Sequence, residues 1–485
     1  MPQLASTDHT SAPPHGARSR PGPRPRAALA VTAAATAVAL MNYTAPMLTL
    51  PDMAAAFSTP ASAQAWLLNG TPLGLAVLLL VAGSLADAHG RRRIFLLGTL
   101  ALGLTTALGA FAGSTATFTA ARIAQGAASA AVLAGSLGLL AQAYPAGRDR
   151  IRATGVWGAS VSAGIALGPL LAGALSLADW RLAYGVLGAA ALVIAAVGAR
   201  TLRADEAAPE RAGSPHRPRP DIAGATALGL ALAALLTALT LGRDGWLRPQ
   251  VGLLLLASLA LTALFVLVEH RSRTPMVDLA LLRRPAFLAS TLGALFTGLA
   301  VIGLFSVVPA LLQGGGSGAG KSPLGGSGAG MSPLGAAWLF VLWSGTAFVV
   351  ALQARRLPAR LSAPYQLALG FVLSAAGVLA LLGSLEGPAG SWPRLLPGLL
   401  VAGAGSGLLN AALPRLAVDS VPPERAAMGS GANNTARYIG SSAGVALTLA
   451  LATSGTGPDT AVLVSAALAL TGAGLTLALG RQRRR

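Results

Sequence analysis

Apolar blocks of about twenty residues recur along almost the whole of this chain, and no other feature limits its fold as tightly. A helix of about twenty apolar residues crosses the roughly 30 Å hydrocarbon core of a bilayer. Inside that core no water is available, so the backbone must bond to itself. Fourteen blocks are legible, at roughly 27–50, 65–86, 94–112, 118–143, 153–176, 182–200, 221–241, 249–268, 286–312, 334–354, 365–384, 394–414, 429–452 and 460–480. What lies between them is too small for a water-facing surface. Only 11% of the 485 residues are charged and 54% are hydrophobic, against about 25% charged in an ordinary soluble domain. The chain is therefore expected to be an all-α polytopic membrane protein, with the lipid bilayer as its solvent.

Two Arg/Pro-rich stretches interrupt the series. They divide the chain into a disordered cytoplasmic N-terminus (1–26), a six-helix bundle (27–200), a cytoplasmic linker (201–220), two extra helices (221–268), a second cytoplasmic linker (269–285), a second six-helix bundle (286–480) and a basic tail (481–485). The first block is too long for a signal-peptide core and has no clear cleavage site, so it is read as a retained span. Arginine placement orients the series, because cytoplasmic loops collect Lys and Arg. With the N-terminus inside, most of the 35 Lys and Arg fall on the cytoplasmic side. Arg181, Arg243, Arg248, Lys321 and Arg394 fall outside, and Arg122 and Arg437 fall within spans. This asymmetry predicts an even number of spans, both termini cytoplasmic, in the cell inner (plasma) membrane. The net charge of +19 is thus assigned to topology, and nucleic acid is not expected as a partner. Cysteine is absent and the five His are unpaired at ligand spacing, so no metal and no cofactor are expected.

The segment GGSGAGKS, within Gly315–Leu334, fits the phosphate-loop pattern. Such a loop needs a strand before it and a helix opening at its Lys-Ser. Here an apolar block precedes and Pro-Leu-Gly-Gly follows. The next ten residues repeat it with Met331 in place of Lys321. A tandem duplication in an external loop (313–333) is the simpler reading.

Four motifs carry chemistry. GSLADAHGRRR, with Gly83, Asp87, Gly90, Arg91 and Arg92, makes a tight basic turn between the second and third blocks, read either as a latch or as a topology-setting loop. RIAQGAASA places Arg122 inside the fourth block with Gln125 almost one turn on. An Arg within a span costs about 2.5–3.5 kcal/mol on insertion scales, so it faces a polar cavity or snorkels to the interface. GIALGPLLAG sets Gly164 and Gly168 on one helix face, beside Pro169 and Gly173, so that a neighbour can approach closely. GSGANNTARYIGSSAGVALT brings Asn433, Asn434 and Arg437 to helical spacing. In order and on the expected spans, these segments resemble the signatures of the major facilitator superfamily, in its fourteen-span drug:proton antiporter branch. The resemblance covers about residues 27–480. It implies two six-helix bundles with two additional central helices, fourteen transmembrane helices in all, and a family role in proton transfer for the span 4 Arg. The glycine and Asp87 motifs would form the conformational switch. SPLGAAW also resembles that branch, whereas the second-half counterpart of the basic turn, ARRLPARL at Ala354–Leu361, is degraded.

One departure bears on mechanism. MNYTAPMLTLP resembles the branch's first-span motif, but Asn42 stands where the family has Asp. An amide carries no exchangeable acid proton, and no carboxylate falls in the central part of any block. The polar groups expected in a shared cavity are Asn42, Tyr43, Arg122, Gln125, Asn433, Asn434, Arg437 and Asn410. The leading expectation is a monomeric secondary transporter, not an enzyme, exporting small molecules by alternating access, with protons as the coupled ion. Two Arg and no embedded acid predict a preference for neutral or weakly anionic substrates. The alternatives are a metabolite transporter without tight proton coupling, a membrane scaffold or sensor without turnover and, more remotely, an ATP-using membrane enzyme.

Overall fold

Helix follows helix through the computed structural model, with no strand among the described residues, which are 25–59, 61–202, 222–242, 245–272, 281, 283–313, 331, 333–354, 362–385, 389–452 and 457–482. Several expectations fall outside them: the N-terminal segment to residue 24, nearly all of the 201–220 linker, residues 273–280, Lys321 with most of the duplicated loop, residues 355–361 of the degraded motif, and the last three arginines.

The first bundle holds α1 (Pro25–Thr44), α2 (Pro46–Ala56), α3 (Ala61–His89), α4 (Arg91–Ala110), α5 (Thr115–Ala143), α6 (Arg148–Ser176) and α7 (Trp180–Thr201). A pair follows, α8 (Ile222–Gly242) and α9 (Pro249–Arg271). The second bundle holds α10 (Pro285–Phe296), a π-helical turn (Thr297–Ile302), α11 (Gly303–Gln313), α12 (Pro333–Ala354), α13 (Ala363–Leu379), α14 (Leu395–Asp419), α15 (Ala426–Ala452) and α16 (Gly457–Gln482). Local chemistry sets several ends. Ser114 and Thr117 form a reciprocal capping box at the start of α5, and Asp179 accepts from the Arg181 N–H at the start of α7. Gly90 takes φ +98° between α3 and α4, a conformation in which a side chain would be strained. The expected first span is broken at Ala45–Pro46, where α1 gives way to α2.

The two bundles repeat one packing scheme. In the first, α3 lies on α5, α4 on α5 and α7, and α1 on α6. In the second, α12 lies on α14, α13 on α14 and α16, and the α10–α11 span on α15. Between them α3 meets α15 and α6 meets α12, the exchange that a pseudo-twofold axis requires. Each bundle has its own apolar core, one built around Leu102, Phe118, Leu133 and Trp157, the other around Phe305, Phe371, Leu409 and Val462. Lipid supplies no hydrophobic drive between spans, so close backbone approach matters instead. A Cβ on Gly298 would strike the Arg437 carbonyl, one on Gly440 the Leu295 carbonyl, and one on Gly303 or Gly444 the facing backbone.

Among the described residues, eleven helices are long and apolar enough to cross a membrane. The other expected spans are represented by two shorter apolar helices, Thr226–Leu239 and Ala363–Leu379, and by α15, whose Asn433, Asn434 and Arg437 lower its hydropathy. The chain is a multi-pass, all-helical membrane protein.

Candidate functional site

Arg122 is buried on α5, and its surroundings follow from the break in the first span. In an unbroken helix the residue 46 N–H would bond the Asn42 carbonyl. Pro46 has no N–H and its ring pushes that carbonyl aside. Arg122 Nη1 takes the vacancy, donating to Asn42 O at 2.7 Å and to Gln125 Oε1 at 2.8 Å, while Nη2 donates to Tyr43 O at 3.4 Å. Gln125 Nε2 in turn donates to the Thr105 carbonyl at 3.3 Å, tying α4 to the cluster. The guanidinium therefore rests against the C-terminal carbonyls of α1, the negative end of that helix. The Asn42 side chain turns back to Val38 O at 3.3 Å and leaves its Oδ1 without a partner.

A second cluster crosses between the bundles. Arg437 Nη1 on α15 donates to Asn410 Oδ1 on α14 at 3.3 Å. Asn410 Nδ2 donates to Ser162 Oγ on α6 at 3.0 Å, and Ser344 Oγ on α12 donates to the Ser162 carbonyl at 2.7 Å. Four spans from both halves thus share one polar chain. Tyr438 meets Tyr43 of α1 with ring centroids 5.8 Å apart. Asn433 and Asn434 do not join this chain. Asn433 Nδ2 bonds Ser290 O and Oγ at 2.9 and 3.0 Å, and Asn434 Nδ2 bonds Ser430 O at 3.1 Å.

The basic turn forms a third group. Asp87 accepts the backbone N–H groups of Ala427 (3.3 Å) and Met428 (2.8 Å), at the N-terminus of α15 in the opposite half. Arg91 Nε bonds Asp87 at 3.0 Å, and its Nη2 bonds the Pro423 carbonyl. The carboxylate thus sits at the positive end of a helix dipole and beside a guanidinium. Arg92 donates to Leu202 O and Ala199 O at 2.9 and 2.8 Å, where it caps α7. Gly83 lies against the Ala427 backbone. Gly164 and Gly168 let α6 approach the Ala37 and Met41 carbonyls of α1, Gly173 faces Leu48, and buried Pro169 sits within α6.

Sequence reasoning missed several partners. Ser162 and Ser344 lie in runs of small residues with no distinguishing pattern. Arg150, in the first turn of α6, bonds Asp419 of the other half at 3.2 Å and caps α5 through the Tyr144 and Ala141 carbonyls, both at 3.0 Å. Arg415, at the margin of its predicted span, is buried and bonds Gln366 Oε1 at 3.3 Å. Spacing to residues far along the chain gave none of these pairs away.

Comparison with known proteins agrees with this architecture. Residues 32–445 match the family model described as Major Facilitator Superfamily. The chain is 30% identical over 403 residues to the Multidrug resistance protein Stp of Mycobacterium tuberculosis, covering 82% of this chain and 70% of that one. It is 31% identical over 454 residues to the Probable actinorhodin transporter of Streptomyces coelicolor, covering 90% and 74%. It is 31% identical over 440 residues to the Puromycin resistance protein pur8 of Streptomyces alboniger, covering 90% and 83%. Among solved structures, the human organic anion transporter MFSD10 (TETRAN) superposes with a TM-score of 0.65 over 94% of this chain and 100% of that one, at 17% identity, a likeness of fold alone. Those relatives are named for multidrug resistance, actinorhodin transport and puromycin resistance. Two repeated bundles, the sequence relatives and a family match over most of its length together establish that the chain belongs to the Major Facilitator Superfamily.

Proposed function

We propose that the chain is a secondary active exporter of drug-like or secondary-metabolite molecules, working by alternating access as a monomer in the inner (plasma) membrane with both termini cytoplasmic. The observation that carries this reading is the seam between the two repeats. Asp87 reaches from α3 to the α15 N-terminus, and Arg150 reaches Asp419 at the same end. Two rigid halves joined by breakable charge contacts at one end are a rocking device. The names of the relatives, in multidrug resistance, antibiotic resistance and antibiotic transport, supply the substrate class. No carboxylate bonds Arg122 or Arg437 in the contacts above, which supports neutral or weakly anionic substrates over cations.

Proton linkage is the leading form of coupling. A second reading, transport without tight proton coupling, is favoured by Asn42, because its amide cannot carry a proton. Everted vesicles incubated with a fluorescent amphipathic drug separate the two. Collapse of the pH gradient should stop accumulation in the first case and spare exchange in the second. Absence of any uptake above empty vesicles overturns the exporter reading. The seam is tested by Asp87→Asn, which removes charge from the helix terminus and from Arg91. Spin labels can be placed freely on a chain without cysteine. The expected result is a distance distribution broadened toward separation at the Asp87 end, for a loss of about 1–2 kcal/mol. An unchanged distribution would remove Asp87 from the switch.

A further inference from the structure

Among the arginines buried in the spans, Arg122 and Arg437 are not equally occupied. Arg122 has three acceptors on its two Nη atoms, and only Nε lacks a partner. Arg437 is 4% exposed and has one bond, to Asn410 Oδ1. Its Nε and Nη2 are both buried, and neither has a partner among the described residues. Those two nitrogens form one edge of the guanidinium fork, the edge whose parallel N–H groups match the two oxygens of a carboxylate. The ion pairs among the described residues, Arg91–Asp87, Arg150–Asp419 and Arg152–Asp149, involve neither buried arginine. A buried charge with an unbonded fork edge is strongly unfavourable unless something completes it. Arg437 also stands at the seam of the halves, in the Asn410–Ser162 chain and next to Tyr438, which meets Tyr43.

The geometry points to Arg437 as the subsite for an acidic oxygen group of the transported molecule, a carboxylate received side-on by Nε and Nη2. This rests on the exporter reading for the word transported, but the site itself does not depend on it. Arg122 is then a positioning residue that holds the α1–α2 break. Asn410 orients the Arg437 plane through Nη1 and is itself held by Ser162.

The test uses the full chain in lipid nanodiscs, with pyrene-1-butyrate and its methyl ester as a matched pair of fluorescent probes. The pair shares one apolar body and differs in the acid. Wild-type protein should bind the acid roughly ten- to a hundredfold more tightly than the ester, the range of a charge-assisted bidentate contact. Arg437→Gln should erase that preference, the ratio of acid to ester affinity falling to about one. Asn410→Asp offers a second route that keeps the side-chain shape. It places an internal carboxylate on the guanidinium, so acid affinity should fall while the protein stays monodisperse. Equal binding of acid and ester by wild type, or an acid preference that survives either variant, overturns the subsite. Vesicle transport of the same pair is read separately. Wild-type protein that binds the acid but moves neither probe would refute the exporter reading and leave the subsite standing.

Discussion

The first span of each repeat departs from a regular α-helix, and the two departures are repaired differently. In the first repeat the break falls at Ala45–Pro46, and a charged group, Arg122 from α5, bonds the carbonyls left behind. In the second repeat the same span widens into the π-helical turn Thr297–Ile302. There neutral hydroxyls suffice, Ser465 of α16 bonding the Ala300 carbonyl and Thr297 bonding Gly293 O at 2.7 Å. Irregular backbone at membrane depth must be satisfied by protein. Here the first half spends Arg122 on that task, and the second leaves Arg437 short of partners. Burial alone therefore does not assign a role to an intramembrane Arg; the number of acceptors around it does.

The largest expected effect that would break this contrast is at Arg122. Arg122→Met should strand three buried acceptors, lowering stability by about 3 kcal/mol or more, read as a fall in the thermal midpoint in detergent. A midpoint within a degree of wild type would remove the repair role. Next in size, Pro46→Ala in the Arg122→Met background should recover about 1–2 kcal/mol, because an alanine in place of the proline can offer Asn42 O the missing N–H. Pro46→Ala that makes the double variant worse would show that the bend itself matters more than the bond. Ser465→Ala should cost only about 1 kcal/mol, as interhelical hydroxyl bonds in membranes generally do. A loss as large as that at Arg122 would erase the distinction between charged and neutral repair. The smallest shift is expected at Arg437→Met, within about 1 kcal/mol of zero or slightly stabilising, since replacing a poorly paired buried charge by an apolar group of similar length is often neutral. A severe loss of stability there would mean that Arg437, too, is a structural strut.

The helical class, the repeat and the family were legible because apolar length and short motifs are local properties of the sequence. The meeting of Arg122 with Gln125 was also local, three residues apart on one helix. The break at Pro46 fell inside a block read as one span, and nothing local ties residue 42 to residue 122. The same holds for Asn410 with Ser162 and for Arg150 with Asp419, whose members lie on different spans and meet only after the halves are assembled. Asn433 and Asn434, grouped with Arg437 by helical spacing, point instead to Ser290 and Ser430. Spacing gives a face of the helix, and a 27-residue helix packed on several neighbours has more than one face to fill.

The wide turn also works as a vernier. Gly298 and Gly303 are five residues apart, yet Gly298 packs on the Arg437–Ser441 backbone, Gly440 included, and Gly303 packs on Gly444, only four residues beyond Gly440 on α15. An α-helix would carry the second glycine about 100° too far round to meet its mate. The larger π circumference absorbs that extra residue and brings both crossings back into phase. Removing one residue between the glycines, with no change in composition elsewhere, would straighten the span while keeping the pairing. It would thereby show whether the inserted residue is needed for turnover or only for assembly.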